Sequence, residues 1–472
     1  MFGTKCLLLF PESIGDFILF TPFIYRIKEL EPECDIHLYT SKNLLSLAKL
    51  NPSLSVVKEI PITSADKHNS TLRRQSILLI KEQQFHSCYF SNDYLYPIIK
   101  KANIPLIIKE PKNLLFRFKA KGSSPKAYSN RFITRSEMFV RNLNSLTNTT
   151  HKLDQFNFNL NIPKNPDIKK QFKLPKTYCV IMTDTVSWKP YEKDFFKQVI
   201  EFFLKHNLDV VVLGLKDLHQ LNESYPTLHY LVGKTSLMQA AQIIDQCHAF
   251  VGIDSGTSHL ASILNKQSLV LFTGKGTRPF YCGPPKPNSY FYKMHPNQST
   301  CPLICPNHNK SCQESYCHYD YSWSHIHQLL LKLIHKENMT WKKKLLHVLE
   351  NSFNILIVGK HNASLSHFMQ THQNLPISQI DTLNSMSLNQ IESLLKKDRI
   401  RYILSVGPKQ PLYYRFLHHY FRFTERWYCT FQYIDNIKDL PENPLENFYQ
   451  HLTGETLDQR LSKEALSIAT PK

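Results

Sequence analysis

Short apolar runs alternate with longer amphipathic stretches twice along this chain, and that alternation leaves few folds open. Cys6-Leu7-Leu8-Leu9-Phe10 is a continuous apolar run, as expected for a strand buried on both faces. Residues 11–15 break it, and residues 17–30 then carry apolar side chains at helical spacing until Pro32. Residues 35–40 and 54–60 read as the next strands, followed by a helix over 72–83 and a strand over 86–90. The pattern restarts at residue 178. Strands are predicted at 178–182, 209–213, 229–232, 249–253 and 268–272, with helices at 191–206, near Leu218, at 237–247 and at 257–264. Strand–helix alternation of this kind predicts an α/β protein with parallel sheets covered by helices.

The chain has 472 residues, which at about 150 residues per domain gives a prior of roughly three. Residues 1–165 and 170–338 read as two Rossmann-like domains and 340–472 as an extra domain, where residues 354–359 and 400–406 look like two more buried strands. The first boundary rests on Asn161-Ile162-Pro163-Lys164-Asn165-Pro166-Asp167. Residues 275–320, rich in Pro, Cys, His and Tyr, read as an irregular insertion before a closing amphipathic helix at 323–335. No apolar run approaches the ~18 residues of a membrane span. The five apolar residues after Lys5 are too few for a signal-peptide core, so a cytoplasmic protein is expected.

Lys plus Arg is 57 and Asp plus Glu 38, a formal net charge of +19 that points to anionic company. The excess is uneven. Residues 100–141 hold eleven Lys or Arg against Glu110 and Glu137. Within them Lys119, Lys121 and Lys126 flank Gly122-Ser123-Ser124-Pro125 and form a candidate patch for an anionic acceptor or membrane face, or else a solvated charged surface.

Five places carry candidate chemistry. Ser13-Ile14-Gly15-Asp16 lies between the first strand and its helix, where Asp16 is either a helix cap or a carboxylate aimed into a ligand crevice. Asp254-Ser255-Gly256-Thr257-Ser258-His259 ends a strand and opens a helix, an arrangement suited to a phosphate group. Thr185 and Lys189 lie after the strand at 178–182, and Asp217 follows the strand at 209–213, where an acid often receives ribose hydroxyls. Cys301, Cys305, Cys312 and Cys317 put four thiols within 17 residues, enough for a structural metal site, although the spacing is not that of a zinc finger. Reduced thiols packed in a loop are the other reading.

The first strand with Ser13-Ile14-Gly15-Asp16, Thr21-Pro22 and Asn51-Pro52 resembles the start of the glycosyltransferase family 9 heptosyltransferases. Lys234-Thr235-Ser236-Leu237, then Asp254-Ser255-Gly256-Thr257-Ser258-His259-Leu260-Ala261, resembles their nucleotide-sugar half. The resemblance runs over residues 5–335 and implies the GT-B architecture, two Rossmann-like domains with an interdomain cleft. It further implies inverting transfer of a heptose, or a similar sugar, from an ADP-sugar to a lipopolysaccharide core or other bacterial surface glycan, with no cofactor for catalysis. Asp16 would then be the general base. Thr185, Lys189, Asp217, Thr235, Asp254, Ser255, Gly256, Thr257 and His259 would bind the donor. The expected partners are a nucleotide-sugar and a phosphorylated glycolipid, with peripheral contact to the anionic inner face of the inner membrane. A protein O-heptosyltransferase with a cysteine metal finger is the same chemistry on another acceptor. A basic nucleic-acid-binding protein is the reading from a different class; no recognised module supports it, and no nucleic acid is expected.

Overall fold

The computed structural model describes residues 2–109, 157–183, 193–215, 228–272 and 322–337. Shorter pieces add to these, among them 135–136, 139–140, 143, 288–293, 354–358, 363–371, 377–380, 400–406 and 430–434. The chain divides into two compact units. One comprises Met1–Val270, Tyr281–Ser289 and Leu333–Lys336; the other comprises Leu271–Phe280, Tyr290–Lys332 and Glu337–Lys472.

The first sheet holds β1 (Lys5–Leu9), β2 (Asp35–Thr40), β3 (Val56–Glu59), β4 (Ser87–Phe90) and β5 (Leu106–Lys109). Its order is β3-β2-β1-β4-β5, and every neighbouring pair is parallel. The unbroken apolar run of β1 has a direct cause. Cys6, Leu8 and Phe10 enter one core, while Leu7 and Leu9 enter a second core on the opposite face. A strand at the centre of a doubly covered sheet has no solvent face on which to place a polar residue. All five side chains are fully buried, and each large one contributes about 1.5–3 kcal/mol.

The second sheet holds β6 (Tyr178–Met182), β7 (Asp209–Leu213), β8 (His229–Tyr230), β9 (Ala249–Ile253), β10 (Ser268–Phe272) and β11 (Ser289–Lys293), in the order β11-β10-β9-β6-β7-β8. Parallel pairing joins β6 to β7 and β9, and β7 to β8. The expected pair of parallel α/β sheets flanked by helices, the GT-B architecture, is therefore present. β11 lies inside the stretch expected to be irregular, where Ser289-Tyr290-Phe291-Tyr292-Lys293 is short and set among prolines. The tail is richer than expected too. β14 (Asn354–Val358) and β16 (Ile400–Val406) are joined by β15 (Ile377–Ile380) and β17 (Thr430–Ile434) in a parallel sheet of order β15-β14-β16-β17. A two-stranded antiparallel ladder, β12 (His295–Pro296) with β13 (Tyr319–Asp320), completes the strands among the described residues.

The helix after β1, Ile14–Leu30, starts three residues earlier than its periodicity predicts and runs through Pro22. Proline lacks the N–H that would bond the carbonyl of Ile18 one turn back. The hydroxyl of Thr21 donates to that carbonyl instead, at 2.8 Å and fully buried. The Thr-Pro pair thus repairs its own defect, and the helix continues.

Candidate functional site

Each of the two larger sheets changes direction at its first strand: β1 lies between β2 and β4, and β6 lies between β7 and β9. In open parallel sheets, ligands bind beyond the carboxyl ends of the strands at such a point. Ser13–Asp16 follow β1, Thr183 follows β6, and Asp254 follows β9.

On the first of these, Ser13 is the N-cap of the Ile14–Leu30 helix, with its Oγ accepting from the Asp16 N–H at 3.3 Å. The same hydroxyl donates to Asp16 Oδ2 at 2.8 Å. The other carboxylate oxygen, Oδ1, is ion-paired with Nη1 of Arg135. The Asp16 side chain is 25% exposed and that of Arg135 12%, so the pair is largely shielded from water. The Arg135 guanidinium lies over the ring of Phe139, 5.4 Å from its centroid. Phe139 is 1% exposed and makes edge contacts with Phe10, Phe20 and Phe23. The turn of helix carrying Arg135 is therefore pinned to the first core. Alongside, Asn92 after β4 donates from Nδ2 to Glu12 Oε1 at 2.7 Å, tying together the two loops at the switch point.

On the second, Asp254 is buried, and Ser255 is the N-cap of the Gly256–Ile263 helix. Unlike Ser13, Ser255 makes no capping bond to its helix; its hydroxyl pairs with that of Thr257 at 2.9 Å. The Ser255 hydroxyl therefore does not occupy the first N–H groups of this helix, which lie at its positive end. Ser258 donates to the carbonyl of Ile253 at 2.6 Å and fixes the strand–helix turn from inside. Thr235 is half-buried beside Ser236, whose reciprocal bonds with Gln239 cap the Leu237–Asp245 helix.

The two motifs meet. A Cβ placed on Gly15 would stand 2.7 Å from Cδ2 of His259, and one on Gly256 would stand 2.6 Å from Cβ of Ile14. Both glycines therefore lie where two helix N-termini approach closely. His259, 4% exposed, packs its imidazole against the backbone of Gly15. Asp16, Gly256 and His259 are thus brought into one neighbourhood, with Asp254, Ser255 and Thr257 on the same turn.

Thr185, Lys189, Asp217, Lys119, Lys121 and Lys126 lie outside the described residues. Of the two partners of Asp16, Ser13 belongs to the motif legible in the sequence, whereas Arg135 does not. Arg135 stands 119 positions from Asp16 and carries no local signature beyond membership of a basic stretch.

The expected metal site at Cys301, Cys305, Cys312 and Cys317 does not stand. Among the described residues no group of three or more His, Cys, Asp or Glu side chains is placed to hold a metal ion, and those four cysteines lie outside the described residues. The five described cysteines, Cys6, Cys34, Cys88, Cys179 and Cys247, are buried free thiols. A closed structural site needs about four converging donors, and none of these five belongs to such a set. Among the described residues no helix is long and apolar enough to cross a membrane.

Residues 99–303 match the family model of glycosyltransferase family 9 (heptosyltransferase). That range includes Arg135 and the Asp254 turn but begins after Asp16. Among solved structures the chain is similar to a glycosyl transferase family 9 protein from Veillonella parvula, at 15% identity and a TM-score of 0.55, covering 71% of this chain and 98% of that one. It is also similar to the E. coli ADP-heptose lps heptosyltransferase II, at 14% identity and a TM-score of 0.53, covering 70% and 99%. No curated protein matches the chain. The likenesses in structure show a shared fold, and the family model matches somewhat under half of the chain.

Proposed function

We propose that this chain is a family 9 glycosyltransferase that moves a heptose, or a closely similar sugar, from an ADP-sugar to a lipopolysaccharide core or another bacterial surface glycan, with inversion at the anomeric carbon. One observation carries the proposal. A carboxylate a quarter exposed, Asp16, and a helix N-terminus that Ser255 does not cap, at Ser255-Gly256-Thr257, meet at the carboxyl ends of two parallel sheets. Inverting transfer needs both, a base for the acceptor and a cationic environment for the departing diphosphate.

In this scheme Asp16 takes the proton of an acceptor hydroxyl as that oxygen bonds to the anomeric carbon. The bond from that carbon to the diphosphate breaks, and ADP leaves with the electron pair. The N–H groups at the start of the Gly256–Ile263 helix, with Lys189 and Thr185, receive the developing charge, and Asp217 and Thr235 hold the ribose and the base. His259 orders the turn by packing on Gly15. The excess of eleven basic residues over two acids in 100–141, Lys119, Lys121 and Lys126 among them, suits a phosphorylated glycolipid at an anionic membrane surface.

The test is direct. The full-length protein is incubated with heptose-deficient lipopolysaccharide and ADP-heptose, UDP-sugars or GDP-sugars in parallel, and products are weighed by mass spectrometry. Addition of one heptose from the ADP donor is expected. Transfer from a UDP- or GDP-sugar alone would overturn the donor assignment, and no transfer from any donor would overturn the reading.

A further inference from the structure

Both oxygens of the Asp16 carboxylate are engaged, Oδ2 by the Ser13 hydroxyl at 2.8 Å and Oδ1 by the Arg135 guanidinium. The two partners differ in kind. Ser13 belongs to the same helix cap and travels with Asp16. Arg135 arrives from a separate helical turn, in the stretch of the chain with the greatest excess of positive charge. A guanidinium on a carboxylate is a strong, charge-assisted contact that occupies the lone pairs a base must use. A base held in this way is a poor acceptor for the proton of a passing water molecule.

We propose that Arg135 is a latch on the catalytic base, released by an anionic group of the acceptor. The inference rests on the function proposed above. With the acceptor absent, Arg135 covers Oδ1, and donor bound in the crevice is protected from water. When a phosphorylated acceptor enters, its phosphate draws the guanidinium away, because a dianion competes well with a single carboxylate for the same fork of donors. Oδ1 is then free beside the acceptor hydroxyl. The anchoring is right for such a movement. Phe139, one helical turn on, is locked into the aromatic cluster with Phe10, Phe20 and Phe23, so the backbone stays in place while the long Arg135 side chain changes partner over the Phe139 ring. Specificity for an anionic acceptor and suppression of wasteful hydrolysis then come from one residue.

The reaction that the latch suppresses is fully defined. Asp16 would take a proton from water, the water oxygen would bond to the anomeric carbon, and the diphosphate would leave with the bonding pair, giving free sugar and ADP. The experiment measures ADP release from ADP-heptose by the full-length protein with no acceptor present. Arg135→Met keeps the apolar stem and removes the charge. It should raise acceptor-free ADP release by about tenfold or more, because a general base is worth ~10²–10⁴ once freed. Adding Asp16→Asn should abolish that gain, and Arg135→Lys should stay near wild type. With phosphatase-treated acceptor, which cannot draw the guanidinium away, Arg135→Met should exceed wild type in kcat/KM, and the gap should narrow with the phosphorylated acceptor. A folded Arg135→Met protein, judged by its thermal shift with ADP, that releases ADP no faster than wild type overturns the latch. If that variant does not fold, inorganic phosphate titrated against wild type at saturating donor decides. A rise in acceptor-free release supports the latch, and no rise overturns it. Wild-type transfer with no effect on hydrolysis sinks the latch alone, whereas failure of wild type to transfer from any donor sinks the proposed function and the latch together.

Discussion

Asp16 is useful because of what holds it. Its own helix supplies Ser13, which orients one oxygen, and the crevice leaves the carboxylate a quarter exposed, within reach of a substrate. Asp16→Asn keeps the size and the Ser13 contact but cannot accept the proton. Transfer should fall by ~10²–10⁴ while the thermal shift produced by ADP is unchanged; near wild-type turnover would remove Asp16 from the chemistry. Glycine at the facing positions is a packing requirement of different severity at each. A methyl on Gly256 meets Cβ of Ile14 at 2.6 Å, an atom fixed to the backbone. A methyl on Gly15 meets the outer edge of the His259 ring, which can turn aside. Gly256→Ala should therefore cost about 1–3 kcal/mol of stability, as overpacking does. Gly15→Ala should cost less, and denaturant titration of both variants would show the order.

Among the elements, the Ile14–Leu30 helix shows how a local rule is broken and mended in two adjacent residues. Pro22 removes a donor and Thr21 returns one to the same carbonyl, inside a fully buried turn. Thr21→Val keeps the shape and deletes the hydroxyl, leaving the Ile18 carbonyl buried without that bond. A loss of about 1–3 kcal/mol is expected. Pro22→Ala in the Thr21→Val background restores a backbone N–H for that carbonyl and should recover most of the loss. A Thr21→Val protein as stable as wild type would show that the carbonyl finds another donor. The strand before this helix was legible for a simple reason, since double-sided burial writes an unbroken apolar word. β11 and β17 were not, because short strands among prolines, aromatics and charged residues lack that word.

Over the whole molecule, the two larger sheets contribute strands to one compact unit, Met1–Val270 with two later pieces. Buried thiols report on its integrity. Cys6 and Cys88 lie in the first sheet, Cys179 in the second, and Cys247 just before β9. Burial pushes the Cys34 thiol up to about 11 and that of Cys247 to about 12, and it raises Cys6, Cys88 and Cys179 further. The thiolate is the reactive form. At pH 8 all five should resist alkylation in the native protein, and Cys6, Cys88, Cys179 and Cys247 should become reactive at one denaturant concentration, as peptide mass spectrometry would record. Separate midpoints for the two sheets would show that they unfold independently. What the sequence determined by itself is what local periodicity can encode: the alternation of strands and helices, the doubly buried β1, and the two polar turns at Asp16 and Asp254 placed at strand ends. What only the tertiary structure decided is which distant side chains meet. The Arg135–Asp16 pair spans 119 positions, and Gly15 and Gly256 owe their identity to a helix contact formed across more than 240. Contacts of that range arise from how the two sheets dock, and a one-dimensional pattern with a period of two or 3.6 residues carries no term for them.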